Sequence, residues 1–190
     1  IGEGDTGLNT GGMGAISPVP FATTTFLDKI ENQVVKPTIK GLSEDNLPYK
    51  GFVFIGLIKV GDDPKVIEYN VRMGDPETEV VLPRLKTDLV EIFSAISQGR
   101  LNDIDIEIDP RAATTVMLVS GGYPEAYEKG KKITGIEHIE GSIAFHAGAL
   151  IKDGDIVTSG GRVMAVTSYG ETYQEAIKKS YQNIDKLHFD

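Results

Sequence analysis

Cysteine is absent from the 190 residues, so no disulfide can staple this fold and a packed core has to hold it. No run of about eighteen apolar residues occurs, which excludes a membrane-spanning helix, and no signal peptide is recognisable. These absences point to the cytoplasm. Basic residues are in the minority, 19 against 28 acidic ones, for a net charge of −9. That balance argues against a nucleic-acid surface and leaves KGKK (129–132) as a solvated turn. There is no internal repeat and no low-complexity tract. Histidine is scarce, with three residues; His138 and His188 have no clustered partners, and His146 in AFHAGA reads as a structural residue in or at the end of a strand.

Glycine, by contrast, is concentrated. GEGDTGLNTGGMGAISPVP (2–20) packs Gly2, Gly4, Gly7, Gly11, Gly12 and Gly14 around Asp5, Asn9 and Thr10 and ends on two prolines. Such a run is neither a regular helix nor a central strand. It also lacks the Ser-rich, repetitive character of a flexible linker. Glycines let backbone N–H groups approach an anion closely, so the segment reads as an anion or carboxylate loop. It is neither a Walker A sequence nor a G-x-G-x-x-G turn after a strand, and a plain surface loop is the alternative.

IEYNVRMGDPETE (67–79) begins with strand alternation. Ile67, Tyr69 and Val71 share one face; Glu68, Asn70 and Arg72 share the other. Upstream, GFVFIGLIKV (51–60) is apolar on both faces, and GDDP (61–64) is turn chemistry, so the two runs form a hairpin. A polar face beside a covered strand is expected to line a cleft. There Glu68 and Asn70 offer oxygen ligands suited to a hard cation such as Mg²⁺, and Arg72 offers a fork for carboxylate or phosphate. Asp75, before Pro76, reads either as the N-cap of a helix starting at 76 or as an active-site acid. Arg162 follows two glycines in SGGRV and can reach an anion, or can pair with the acidic body of the protein.

Along the chain, Phe26, Leu27, Ile30, Val34 and Val35 recur at helical spacing, which predicts an amphipathic helix over about 22–33 that Pro37 disturbs or ends. Helices are predicted over 78–85 and 88–98, the second closed by Gly99. NDIDIEIDP (102–110) alternates strictly and predicts a strand opening a second, small domain. Short β runs follow (AATTVMLVS, KITG, SIAFHAGALI, DIVTSG, RVMAVTSYG), then a closing helix over about 172–187.

DTGLNTGGMGAISP, YKGFVFIGLI and IEYNVRMGDPETE, continued by SGGYPEAYEKG, FHAGA and SGGRVMAVT, resemble the phosphoribosylamine–glycine ligases of the ATP-grasp group. The resemblance implies an α+β fold: part of an ATP-grasp domain over 1–101, mainly antiparallel sheet with helices, and a small β-rich C-terminal domain with a closing helix over 102–190. It implies that the chain is the C-terminal portion of an enzyme whose missing N-terminal part completes the cleft, so that the chain by itself is inactive. ATP, glycine and 5-phosphoribosylamine are the implied substrates. Glu68 and Asn70 match the family's metal positions and would hold Mg²⁺, or Mn²⁺, on ATP. Arg72 and Asp75 fall to catalysis, Arg72 serving either the phosphoryl group or glycine's carboxylate. Asn9, Thr10, Gly11, Gly12, Met13 and Gly14, with Arg162, fall to substrate binding. Gly56 stands where many ATP-grasp enzymes place a further metal-binding carboxylate. The alternatives are another ATP-grasp ligase with a different amine acceptor, or a non-catalytic module that packs against other domains.

Overall fold

A computed structural model describes residues 2–4 and 6–189. Ile1, Asp5 and Asp190 lie outside the described residues, and with them the expected place of Asp5 in the glycine-rich loop. The chain forms two compact units that do not follow chain order: residues 1–17, 75–85 and 108–190 make one, and residues 18–74 and 86–107 the other. These units differ from a cut at 101/102, because the strand that leaves the glycine-rich loop belongs to the β-rich sheet.

In the first unit, β1 (Gly14–Ser17), β4 (Ala112–Val119), β8 (Arg162–Gly170) and β5 (Ser142–His146) form an antiparallel sheet in the order β1-β4-β8-β5. β1 is registered on β4 from Gly14 opposite Val116 to Ser17 opposite Ala113. β8 is central, and Val163 through Ser168 are buried without a break; a strand covered on both faces has no need of polar alternation. β6 (Ala149–Lys152) and β7 (Asp155–Thr158) form a separate hairpin. α5 (Tyr173–Ile184) starts from Thr172, whose hydroxyl accepts from Glu175 N, a side-chain N-cap. It packs on β4 and β8 through buried Ala176, Ser180 and Asn183.

That interface is polar at its centre. The Ser180 hydroxyl lies 2.9 Å from the Ser168 hydroxyl and 3.2 Å from the Thr114 carbonyl. Asn183 Nδ2 donates to Glu140 O and Ser142 Oγ, and its Oδ1 accepts from Glu140 N. Buried polar atoms are thereby satisfied within the element pairs that bury them. α3 (Thr78–Val81) places Val80, 1% exposed, against the same sheet.

In the second unit, α1 (Thr24–Ile30) runs through a π-helical turn, Glu31–Val35, into α2 (Lys36–Glu44). Of the two outcomes expected for it, Pro37 disturbs the helix and does not end it. The π turn precedes it, with Lys36 N–H donating five residues back to Glu31 O, and it falls in the first turn of α2, where a proline's missing donor costs little. β2 (Phe54–Val60) and β3 (Asp63–Asn70) make the expected hairpin, although Asp63 and Pro64 belong to β3 and not to the turn. α4 (Leu89–Gln98) is capped by the Asp88 carboxylate and closed by left-handed Gly99.

The strand expected over 102–110 is absent. Leu101–Asp103 is a 3₁₀ turn, and the rest is extended with a single bridge, Ile108 to Leu85. Its alternating isoleucines find no sheet edge to join, and Ile106 and Ile108 stay exposed. KITG likewise makes only isolated bridges, at Lys132 and Thr134. No described helix is long and apolar enough to cross a membrane.

Candidate functional site

The predicted site residues fall into two groups, one in each unit. In the second unit, β3 brings Glu68 and Asn70 together: Asn70 Nδ2 donates to Glu68 Oε1 at 2.9 Å. The amide oxygen of Asn70 and the second carboxylate oxygen of Glu68 are left as acceptors. Gly56 pairs with Glu68 across the hairpin, and a Cβ there would stand 3.0 Å from Glu68 Cγ. The position that carries a further carboxylate in many ATP-grasp enzymes is here the space over which the Glu68 stem lies. A bulge between Gly56 and Leu57 leaves Ile67 without a partner, and such a bulge re-aims the neighbouring side chains.

Arg72 uses one guanidinium nitrogen on Met73 O, at 3.1 Å. β3 ends at Asn70, so Val71 and Arg72 lie in a bend beyond it and not on the two strand faces where alternation had put them; both are exposed, as are Ile67, Glu68 and Tyr69. The polar residues Glu68 and Arg72 stand open, whereas the apolar side is partly covered by the helical segment: Tyr69 Oη lies 2.9 Å from Thr38 Oγ1, and Tyr69 and Val71 line a cavity with Leu42 and Leu47. Among the described residues no group of three or more histidines, aspartates or glutamates could hold a metal. Two adjacent hard oxygens still fit magnesium, which keeps several waters and takes substrate phosphates rather than a full protein cage.

The first unit assembles the remaining candidates around one guanidinium. Arg162 Nη1 donates to Gly12 O at 3.0 Å and to Asp75 O at 2.9 Å, while Nη2 meets Asp75 Oδ2 at 3.0 Å. Asp75 is not a helix cap, because α3 begins after Glu77 with no side-chain cap bond. Its carboxylate is committed to Arg162. Crowding favours glycine on the loop: a Cβ at Gly12 would stand 2.5 Å from Pro76 Cδ and one at Gly14 2.9 Å from Thr115 O, while one at Gly11, 3.0 Å from Arg162 Cζ, would push the guanidinium aside. Met13 O accepts from Met117 N. Asn9 is exposed and Thr10 half-buried.

Two residues of this assembly carry no sequence signal. Tyr123 accepts the Gly11 N–H at 3.3 Å. Glu79 lies close enough to Asp75 and Arg162 to feel their charges, and its Oε2 is buried with no hydrogen-bond partner among the described residues. Burial pushes its carboxyl above the ordinary glutamate range; its own backbone N–H opposes this, Asp75 adds to it, Arg162 opposes it and Glu77 adds to it. His146 is an exposed strand end opposite Met164.

Residues 1–78 match the family model described as phosphoribosylglycinamide synthetase, ATP-grasp (A) domain, and residues 113–190 match the C domain of the same synthetase. The chain belongs to the phosphoribosylglycinamide synthetase family. It is 46% identical over its whole length to the phosphoribosylamine–glycine ligase of Chlorobaculum tepidum, covering 45% of that protein. It is 49% identical to the bifunctional purine biosynthetic protein PUR2,5 of Pichia angusta, covering 24% of it. The crystal structure of a phosphoribosylamine–glycine ligase from Thermotoga maritima superposes with a TM-score of 0.86 at 40% identity, over 98% of this chain and 46% of that one. The chain thus spans about half the length of the ligases it matches, with the α+β architecture of this synthetase family.

Proposed function

We propose that the protein carrying this sequence is an ATP-dependent carbon–nitrogen ligase of the cytoplasm that joins glycine to 5-phosphoribosylamine, giving glycinamide ribonucleotide, ADP and phosphate. The observation that supports this reading best is the Glu68–Asn70 pair, two hard-oxygen side chains in contact on one face of β3. Glu68 and Asn70 would hold magnesium or manganese, which when bound offsets the charge of the ATP phosphates.

A glycine carboxylate oxygen bonds the γ-phosphorus as the bond to ADP breaks, giving glycyl phosphate. The amine of 5-phosphoribosylamine then bonds the carbonyl carbon, the bond to phosphate breaks and the amine proton passes to solvent. Positioning and charge neutralisation dominate such chemistry. Arg72 spends one donor on Met73 O and has the rest of its fork for the phosphoryl group or glycine's carboxylate. The loop from Asn9 to Gly14 holds 5-phosphoribosylamine or the acyl phosphate. Asp75 and Arg162 act on that loop: with Arg162 turned to Asp75 and Gly12 O, the ion pair shapes the loop that meets substrate.

In the complete protein, Glu68→Gln keeps size and removes charge, and Asn70→Ala removes an oxygen. Each is expected to weaken magnesium affinity by about tenfold or more, and ligation with it. Wild-type magnesium dependence of turnover in both variants would refute the assignment.

A further inference from the structure

The glycine-rich loop is gripped at two successive residues by side chains from far along the chain. Gly11 N–H donates to Tyr123 Oη at 3.3 Å, and Gly12 O accepts from Arg162 Nη1 at 3.0 Å. The two arms share one base. Ser120 N donates to Gly161 O and Ser120 Oγ to Gly160 O, while Tyr123 N donates back to Ser120 O. The Tyr123 ring lies directly on Gly161, where a Cβ would come within 2.2 Å of Cδ2, and against Tyr127 at a centroid distance of 6.1 Å. A hydroxyl held this firmly is a fixed point, not a roaming surface group. Between the arms the Gly12 N–H bonds no described residue.

We propose that Tyr123 is a positioning residue for the substrate loop, its hydroxyl and the Arg162 guanidinium together fixing the Gly11–Gly12 backbone in the shape that receives substrate. The proposal rests on the reading of residues 9–14 as that loop. Adjacent glycines have wide backbone freedom, and a loop that has to surrender it on binding weakens affinity without altering the reacting groups. Loss of the Tyr123 arm is therefore a binding defect and not a chemical one.

The test is Tyr123→Phe, which keeps the ring on Gly161 and removes the hydroxyl, beside Tyr127→Phe, whose lost hydroxyl bonds no described residue. In the 190-residue chain, NMR hydrogen exchange at the Gly11 amide should quicken by about threefold to tenfold in the first variant and stay put in the second. In the complete protein, Tyr123→Phe should raise KM for 5-phosphoribosylamine by about threefold to tenfold with kcat held. Unchanged Gly11 exchange, or a fall in kcat at constant KM, would overturn the proposal. Asn9→Ala and Thr10→Val separate the two readings. If they raise the same KM and Tyr123→Phe does not, the loop reading stands and the Tyr123 proposal fails; if they too leave KM alone, the loop reading has failed.

Discussion

Glu79 carries a buried carboxylate oxygen with no hydrogen-bond partner among the described residues, set among Asp75, Glu77 and Arg162. Its folded-state pKa is raised above 4.5, chiefly by burial. The protonated form therefore suits the fold, and the stability it contributes is complete below the unfolded value and lost as pH rises through the folded one. Glu79→Gln cannot ionise. Thermal unfolding should show the wild type losing stability relative to this variant as pH climbs above 4.5, with the gap closing again in acid. Parallel curves for the two proteins would mean that Glu79 ionises freely. Asp109 behaves in the opposite sense, its carboxyl lowered to about 2 by hydrogen bonds from Arg111. At this scale the sequence was legible only where the partners are near neighbours. Glu68 and Asn70, two apart on a strand, could be paired from alternation alone. Arg162 with Asp75, or Tyr123 with Gly11, are joined by topology, and no local period carries that information.

Among the elements, α5 was readable as a closing helix; its Thr172 cap, which accepts from Glu175 N, and its buried positions are the physical reason it forms. The alternation of 102–110 looked equally clear and was not a strand. Alternation says that a segment can be half-buried in a sheet; a free edge decides whether it is. α5 also carries a test of its polar underside. Asn183, 3% exposed, binds both the N–H and the C=O of Glu140. Asn183→Ala strands those backbone groups and should cost about 2–3 kcal/mol in denaturant unfolding. Asn183→Asp tests the same site differently, keeping an acceptor for Glu140 N while losing the donor to Glu140 O. A loss well under 1 kcal/mol for Asn183→Ala, on the order of a surface change, would show that water replaces the amide there.

At the scale of the whole molecule, the exposed apolar side chains of the β2–β3 hairpin and of the bend that follows it decide what this chain can do by itself. Ile58, Val60, Ile67, Tyr69 and Val71 are all more than half exposed. Uncovered apolar strand surface promotes self-association, and Glu68 with Arg72 lies open to water that a working site would exclude. The 190-residue chain is accordingly expected to bind ATP too weakly for calorimetry and to release no phosphate from ATP in the presence of glycine and 5-phosphoribosylamine. Glycine-dependent phosphate release from the purified chain would contradict this.

The pairing of β1 with β4 has a consequence for how the molecule is made. Gly14 meets Val116 and Ser17 meets Ala113, so β1 leaves the ribosome long before the strand it needs. Closing so large a loop is slow and entropically costly. Until β4 is synthesised, the glycine-rich segment has no fixed exit and neither Tyr123 nor Arg162 to grip it. The glycine-rich loop, synthesised before the strands and side chains that hold it, is thus among the last parts of its unit to take shape.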